Sequence, residues 1–116
     1  VDLVAIHPGA DALHLDASLT AGAQGIVLVA LGSGNASAPV AEAVARAHAA
    51  GVPVVVSSRV PEGVLTPAYG GGGGGHDLMR AGAIHARILR PGQARILLAA
   101  LIANGVPPDR MAAHFG

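Results

Sequence analysis

The chain has 116 residues, and seven acidic side chains balance seven basic ones, for a formal net charge of zero. A length of this order supports one domain with one core, and the balanced charge excludes a general attraction to nucleic acid or to a membrane surface. The lack of cysteine excludes disulfides and thiolate metal sites, and with aromatics at 2% the core must be filled by Val, Leu, Ile and Ala in thin, closely packed layers.

Residues 2–6 read as a first strand that stops at His7-Pro8-Gly9, a loop by its Pro and Gly. A helix is expected over 11–21, with Gly22 ending it. The most informative stretch follows, GIVLVALGSGNASAPVAEAVARAHAAGVPVVVSSR at residues 25–59. Its first part, 26–31, is continuously apolar rather than alternating, as expected of a parallel strand covered on both faces. Gly32-Ser33-Gly34-Asn35 then breaks the strand. In the helix expected over 39–50, Val40, Ala43, Val44 and Ala47 recur at i, i+3, i+4, i+7 and form one face. Gly51 suits the left-handed residue just past that helix, and Val54-Val55-Val56 begins a third strand over 53–57. The whole is a β-α-β unit, and folds of this kind place ligands on the loops at the carboxyl ends of their strands.

Val60-Pro61-Glu62-Gly63 is a turn, and residues 64–66 could form a short strand. Six consecutive glycines, 70–75, cannot pack side chains and read as a slack surface loop. A phosphate cradle would need a strand before them and a helix opening with Lys or Ser/Thr behind them, and neither is present. A helical turn at 78–81 and a brief pairing at 83–84 lead to the strongest helix, 92–104. Pro91 suits its first turn, Ala94, Leu97, Leu98, Leu101 and Ile102 make its apolar face, and Gly105 ends it. A short last helix opens at Pro107-Pro108-Asp109, with Met111 and Phe115 spaced to share a face. The fold class expected is α/β, a small three-layer parallel sheet of flavodoxin-like or Rossmann-like kind, forming a single domain over 1–116.

Asn35 is the leading candidate for chemistry. A Gly-flanked amide at a strand-to-helix elbow offers both a donor and an acceptor above the sheet, although Asn also commonly does no more than shape a turn. Arg59, at the carboxyl end of the third strand after Ser57-Ser58, could bind an anion or pair with Glu62 or another acid. The six histidines (7, 14, 48, 76, 85 and 114) lack metal-ligand spacing, so no metal is expected. His76-Asp77 reads as a helix start rather than a dyad, and Ser57 and Ser58 lack the nucleophile-elbow pattern.

The chain as a whole resembles the C-terminal domain of bacterial L-asparaginases. The resemblance rests on Gly32-Ser33-Gly34-Asn35, Ser57-Ser58-Arg59, Gly63, Tyr69, Gly82, Ala94-Arg95-Ile96-Leu97-Leu98 and Leu101, in family order and spacing. It implies an amidohydrolase converting L-asparagine and water to L-aspartate and ammonia through a threonine nucleophile, without a metal or organic cofactor. The family's Thr-Gly-Gly-Thr and Thr-Asp segments do not occur in these residues, so no catalytic residue is expected here. The chain reads as a piece of a longer protein whose N-terminal catalytic domain is its partner.

By the same resemblance Asn35 reaches into a neighbouring subunit's active site, in a homodimer or homotetramer. Tyr69 stands near where some family members place a substrate-binding glutamate, and it could serve through its hydroxyl or be a packing residue. Gly32, Gly34 and Arg59 are expected to be structural near the site. Alone, the chain is expected to be inactive and, with its domain-facing surface exposed, to self-associate. The compartment is not legible from these residues, and the cytoplasm is the default expectation. The alternative reading is a sugar-binding-protein-like or repressor-like half domain, which the run AVARAHAAGVPVVV at 43–56 would suit. Such lobes usually carry an acidic residue where Ser57-Ser58-Arg59 stands. A flavodoxin-like nucleotide module is a third option that lacks a phosphate fingerprint.

Overall fold

The computed structural model describes residues 1–31, 36–58 and 75–116. Four parallel strands, β1 (Asp2–Ala5), β2 (Ile26–Ala30), β3 (Val54–Ser58) and β4 (Ile84–His85), form one sheet in the spatial order β1-β2-β3-β4. Helices α1 (Leu13–Thr20), α2 (Ala38–Ala49), α3 (Gly75–Arg80), α4 (Pro91–Ala103) and α5 (Pro108–Met111) complete the chain, with a final 3-10 turn at Ala112–His114. The three-layer parallel α/β arrangement agrees with the sequence reading.

Alternation along the strands divides the core in two. Val4, Ile6, Ile26, Leu28, Val54 and Val56 pack beneath α1, α2 and α3, together with Leu15, Leu78 and the α2 face. Val27, Val55 and Ile84 point the other way, against Ala94, Leu98 and Leu101 of α4 and against Met111 and Phe115. Every residue of β2 and β3 is buried, which is why neither strand shows an alternating pattern. The α2 face is the one its spacing predicts, Val40, Ala43, Val44 and Ala47, all fully buried. Two of those four are alanines, so the helix lies close to the sheet.

Local chemistry sets the helix ends. At α1, Asp11 stays outside the helix because its Oδ1 accepts from the Leu13 backbone N–H at 3.0 Å, so the helix starts at Leu13 rather than residue 11. At α2, the Ser37 hydroxyl accepts from Val40 N at 3.4 Å, a serine N-cap ahead of Pro39. At α4, Pro91 takes the first turn, and Gln93 Oε1 accepts from Arg90 N at 2.9 Å. Gly51 follows α2 with φ +78°, the left-handed conformation expected there.

Gly82 is a stricter requirement. Its φ is +104°, and a Cβ placed on it would run into the His48 ring. The imidazole, on an exposed position of α2, therefore lies across the glycine that ends α3. Of the glycine run, residues 70–74 lie outside the described residues, while Gly75 opens α3. Asp77 stands in the first turn of that helix, in keeping with a helix start rather than a dyad.

Candidate functional site

Strand register determines which loops share an edge. Val29 stands beside Ser57 and Ala30 beside Ser58, so β2 and β3 end level with each other at their carboxyl ends. The segment containing Gly32, Gly34 and Asn35 follows β2 directly, and the segment containing Arg59 and Tyr69 follows β3. The two candidate-bearing segments thus leave the sheet from adjacent, in-register positions. Gly32, Gly34, Asn35, Arg59 and Tyr69 themselves lie outside the described residues, as does the short strand expected at 64–66.

The described part of this edge is tied together by hydroxyl groups. Ser57 is fully buried, and its Oγ donates to the Leu89 carbonyl at 2.8 Å, joining the end of β3 to the approach to α4. Ser58 beside it is 1% exposed. Ser37 Oγ donates to the Ala10 carbonyl at 2.6 Å while it caps α2. One hydroxyl therefore joins the loop after β1 to the start of α2 and fixes where the chain returns after residues 32–35. The sequence reading did not single out Ser37. Its signal was a serine two residues before a helix-opening proline, the usual pattern of an N-cap.

Beside this edge a pocket of about 240 Å³ lies between the carboxyl end of β1 and α1, where His7, Asp11 and His14 meet the apolar Ile6, Leu15 and Val40. The His7 Nδ1 is 2.9 Å from the Pro8 carbonyl. A carbonyl only accepts, so this contact puts the proton on Nδ1. Among the described residues no cluster of three or more His, Cys, Asp or Glu side chains is placed to hold a metal ion. Threonine occurs only at positions 20 and 66; Thr20 is the last residue of α1, and Thr66 lies outside the described residues. Among the described residues no helix is long and apolar enough to cross a membrane.

These features define a parallel α/β domain whose candidate side chains all follow the carboxyl ends of two central strands. The sequence matches the model of the glutaminase/asparaginase C-terminal domain over residues 1–115. The chain belongs to that family. It is 41% identical over 83 residues to a protein named "Probable L-asparaginase" from Deinococcus radiodurans, a match covering 72% of this chain and 25% of the relative. It is 30% identical over 115 residues to L-asparaginase 2 of Bacillus subtilis, covering 99% of this chain and 29% of that protein. The chain thus spans well under a third of the length of these relatives.

Proposed function

We propose that the chain works as the C-terminal domain of an L-asparaginase, whose full-length form hydrolyses L-asparagine to L-aspartate and ammonia. The observation that carries this reading is the match to the family model over residues 1–115, supported by the in-register ending of β2 and β3, the strands that Asn35 and Arg59 follow in sequence. The nucleophile and its activating groups belong to an N-terminal domain. This domain supplies subunit contacts in a homodimer or homotetramer, and it offers Asn35 and Tyr69 to substrate in a neighbouring subunit. Gly32, Gly34 and Arg59 take structural roles near that site.

Chemistry supports this division of labour. A hydroxyl nucleophile without a positioned base is weak at neutral pH, and the chain contains no lysine to complete a relay, since every basic residue is an arginine. Purified residues 1–116 should therefore release no ammonia from L-asparagine, whereas a mixture with the separately made N-terminal domain should. Activity from residues 1–116 alone would overturn the assignment. In the full-length protein, Asn35→Ala should weaken substrate handling by about 0.5–3 kcal/mol, the range for losing one hydrogen bond, and leave the fold intact. Wild-type steady-state kinetics in the folded variant would reduce Asn35 to a turn residue.

A further inference from the structure

The chain is held on either side of Asn35, and on the far side a single hydroxyl does the holding. On the near side β2 is fixed by both neighbours. Ile6 N donates to the Val29 carbonyl at 3.2 Å, and Ala30 pairs in register with Ser58. On the far side stands Ser37, two residues beyond Asn35 in the sequence. Two residues of chain reach at most about 7 Å, so the bonds that fix Ser37 limit where Asn35 can stand.

Ser37 belongs to no strand and precedes α2 as its N-cap. Its carbonyl accepts from Ala41 N at 3.0 Å, which joins it to the helix. Its hydroxyl adds the link to the sheet, because Oγ donates to the Ala10 carbonyl at 2.6 Å. Ala10 is buried, and its own N–H donates to the His7 carbonyl at 2.9 Å, so the acceptor sits in a closed turn one residue after Ile6. These bonds form a circuit from Val29 through Ile6 and the 7–10 turn to Ser37. The chain between Ala30 and Ser37 closes that circuit, and both its ends are set by the same pair of strands.

Building on the amidohydrolase reading above, we infer that Ser37 is a positioning residue for substrate binding. By donating to the Ala10 carbonyl, its hydroxyl sets the far end of the Asn35 segment, and the hold of Asn35 on L-asparagine weakens when that bond is lost. The hydroxyl has two roles that chemistry can separate. Accepting from Val40 N caps α2, which any good N-cap oxygen can do. Donating to Ala10 requires an O–H. Threonine keeps both roles and alanine loses both. Aspartate keeps the cap but, when ionised, only accepts, and it would turn its oxygens on a carbonyl that also only accepts.

Steady-state kinetics of the full-length protein on L-asparagine test the inference. Ser37→Ala and Ser37→Asp should each raise KM about three- to tenfold, the range for one hydrogen bond. Their kcat should stay within about twofold of wild type, the pattern of binding lost equally from ground and transition states. A merely structural role would do the reverse, since partial unfolding removes active molecules, lowering kcat and leaving KM unchanged. Ser37→Thr should restore KM. Asn35→Ala should raise KM too, and Asn35→Ala/Ser37→Ala should raise it no further, because the two residues act through one contact. A wild-type KM in Ser37→Ala, beside a raised KM in Asn35→Ala, would overturn the inference and leave the functional reading standing. So would a wild-type KM in Ser37→Asp, which would reduce Ser37 to a cap, or full additivity in the double variant. A wild-type KM in Asn35→Ala would overturn the reading and the inference together.

Discussion

The centre and the margin of the sheet are made from similar residues and treated differently. β2 and β3 are covered on both faces and read as unbroken apolar runs. β1 is apolar at three of its four positions, yet only Val4 is buried. The difference lies in neighbours rather than composition, because a central strand has helices above and below and strands on both sides. An apolar residue at the centre thus contributes fully to stability, while one at the margin, left half exposed, contributes little. The comparison predicts that Leu28→Ala, at a fully buried position, costs about 2–5 kcal/mol in urea unfolding. Leu3→Ala should cost under about 1 kcal/mol, since a half-exposed side chain has little transfer energy to lose. Equal losses at the two positions would erase the distinction.

The junction of α2 with the end of α3 offers a second test, because there the tolerance is set by a close approach instead of by burial. Gly82→Ala must place a Cβ into the His48 ring at a positive φ. We expect a loss of about 2–4 kcal/mol, combining the left-handed backbone penalty with overpacking. The double variant Gly82→Ala/His48→Ala should recover the packing part and retain the backbone part. A double variant no more stable than Gly82→Ala alone would remove the ring from the explanation.

At the carboxyl edge, Ser57→Ala leaves the Leu89 carbonyl without its donor. The loss should be about 1 kcal/mol, as water can partly replace the hydroxyl at a half-buried loop. The smallest effect belongs to the surface. Arg46 Nη2 meets both carboxylate oxygens of Asp16, at 2.9 and 3.0 Å, but both side chains are about half exposed. Asp16→Asn should cost about 0.2–1 kcal/mol and less in high salt. A loss larger than that of Ser57→Ala would show that this pair links α1 to α2 more tightly than its exposure allows.

The candidate site was partly legible in the sequence, for identifiable reasons. Glycine and asparagine after one apolar run, and serine-serine-arginine after the next, locate two strand ends without any knowledge of the fold. That those ends lie level is a matter of register, which sequence spacing does not encode, and it appears only in the pairing of Ala30 with Ser58. Ser37 was overlooked because its second partner, the Ala10 carbonyl, is 27 residues away in the chain. Asp11 was placed inside a helix because local propensity does not register a carboxylate turning back to the Leu13 N–H.

By itself the sequence determined the class of fold, since period and run length distinguish buried strands from one-faced helices. It indicated the α2 face to the residue, because Val40, Ala43, Val44 and Ala47 recur at i, i+3, i+4, i+7 and the structure buries all four. The tertiary structure decided the order of the strands, the division of the core between two helix layers and the contact of His48 with Gly82. Each of these depends on which distant segments become neighbours. A side chain's local preferences record its environment within a few residues, whereas the presence or absence of a partner across the sheet is settled only when the whole chain is packed.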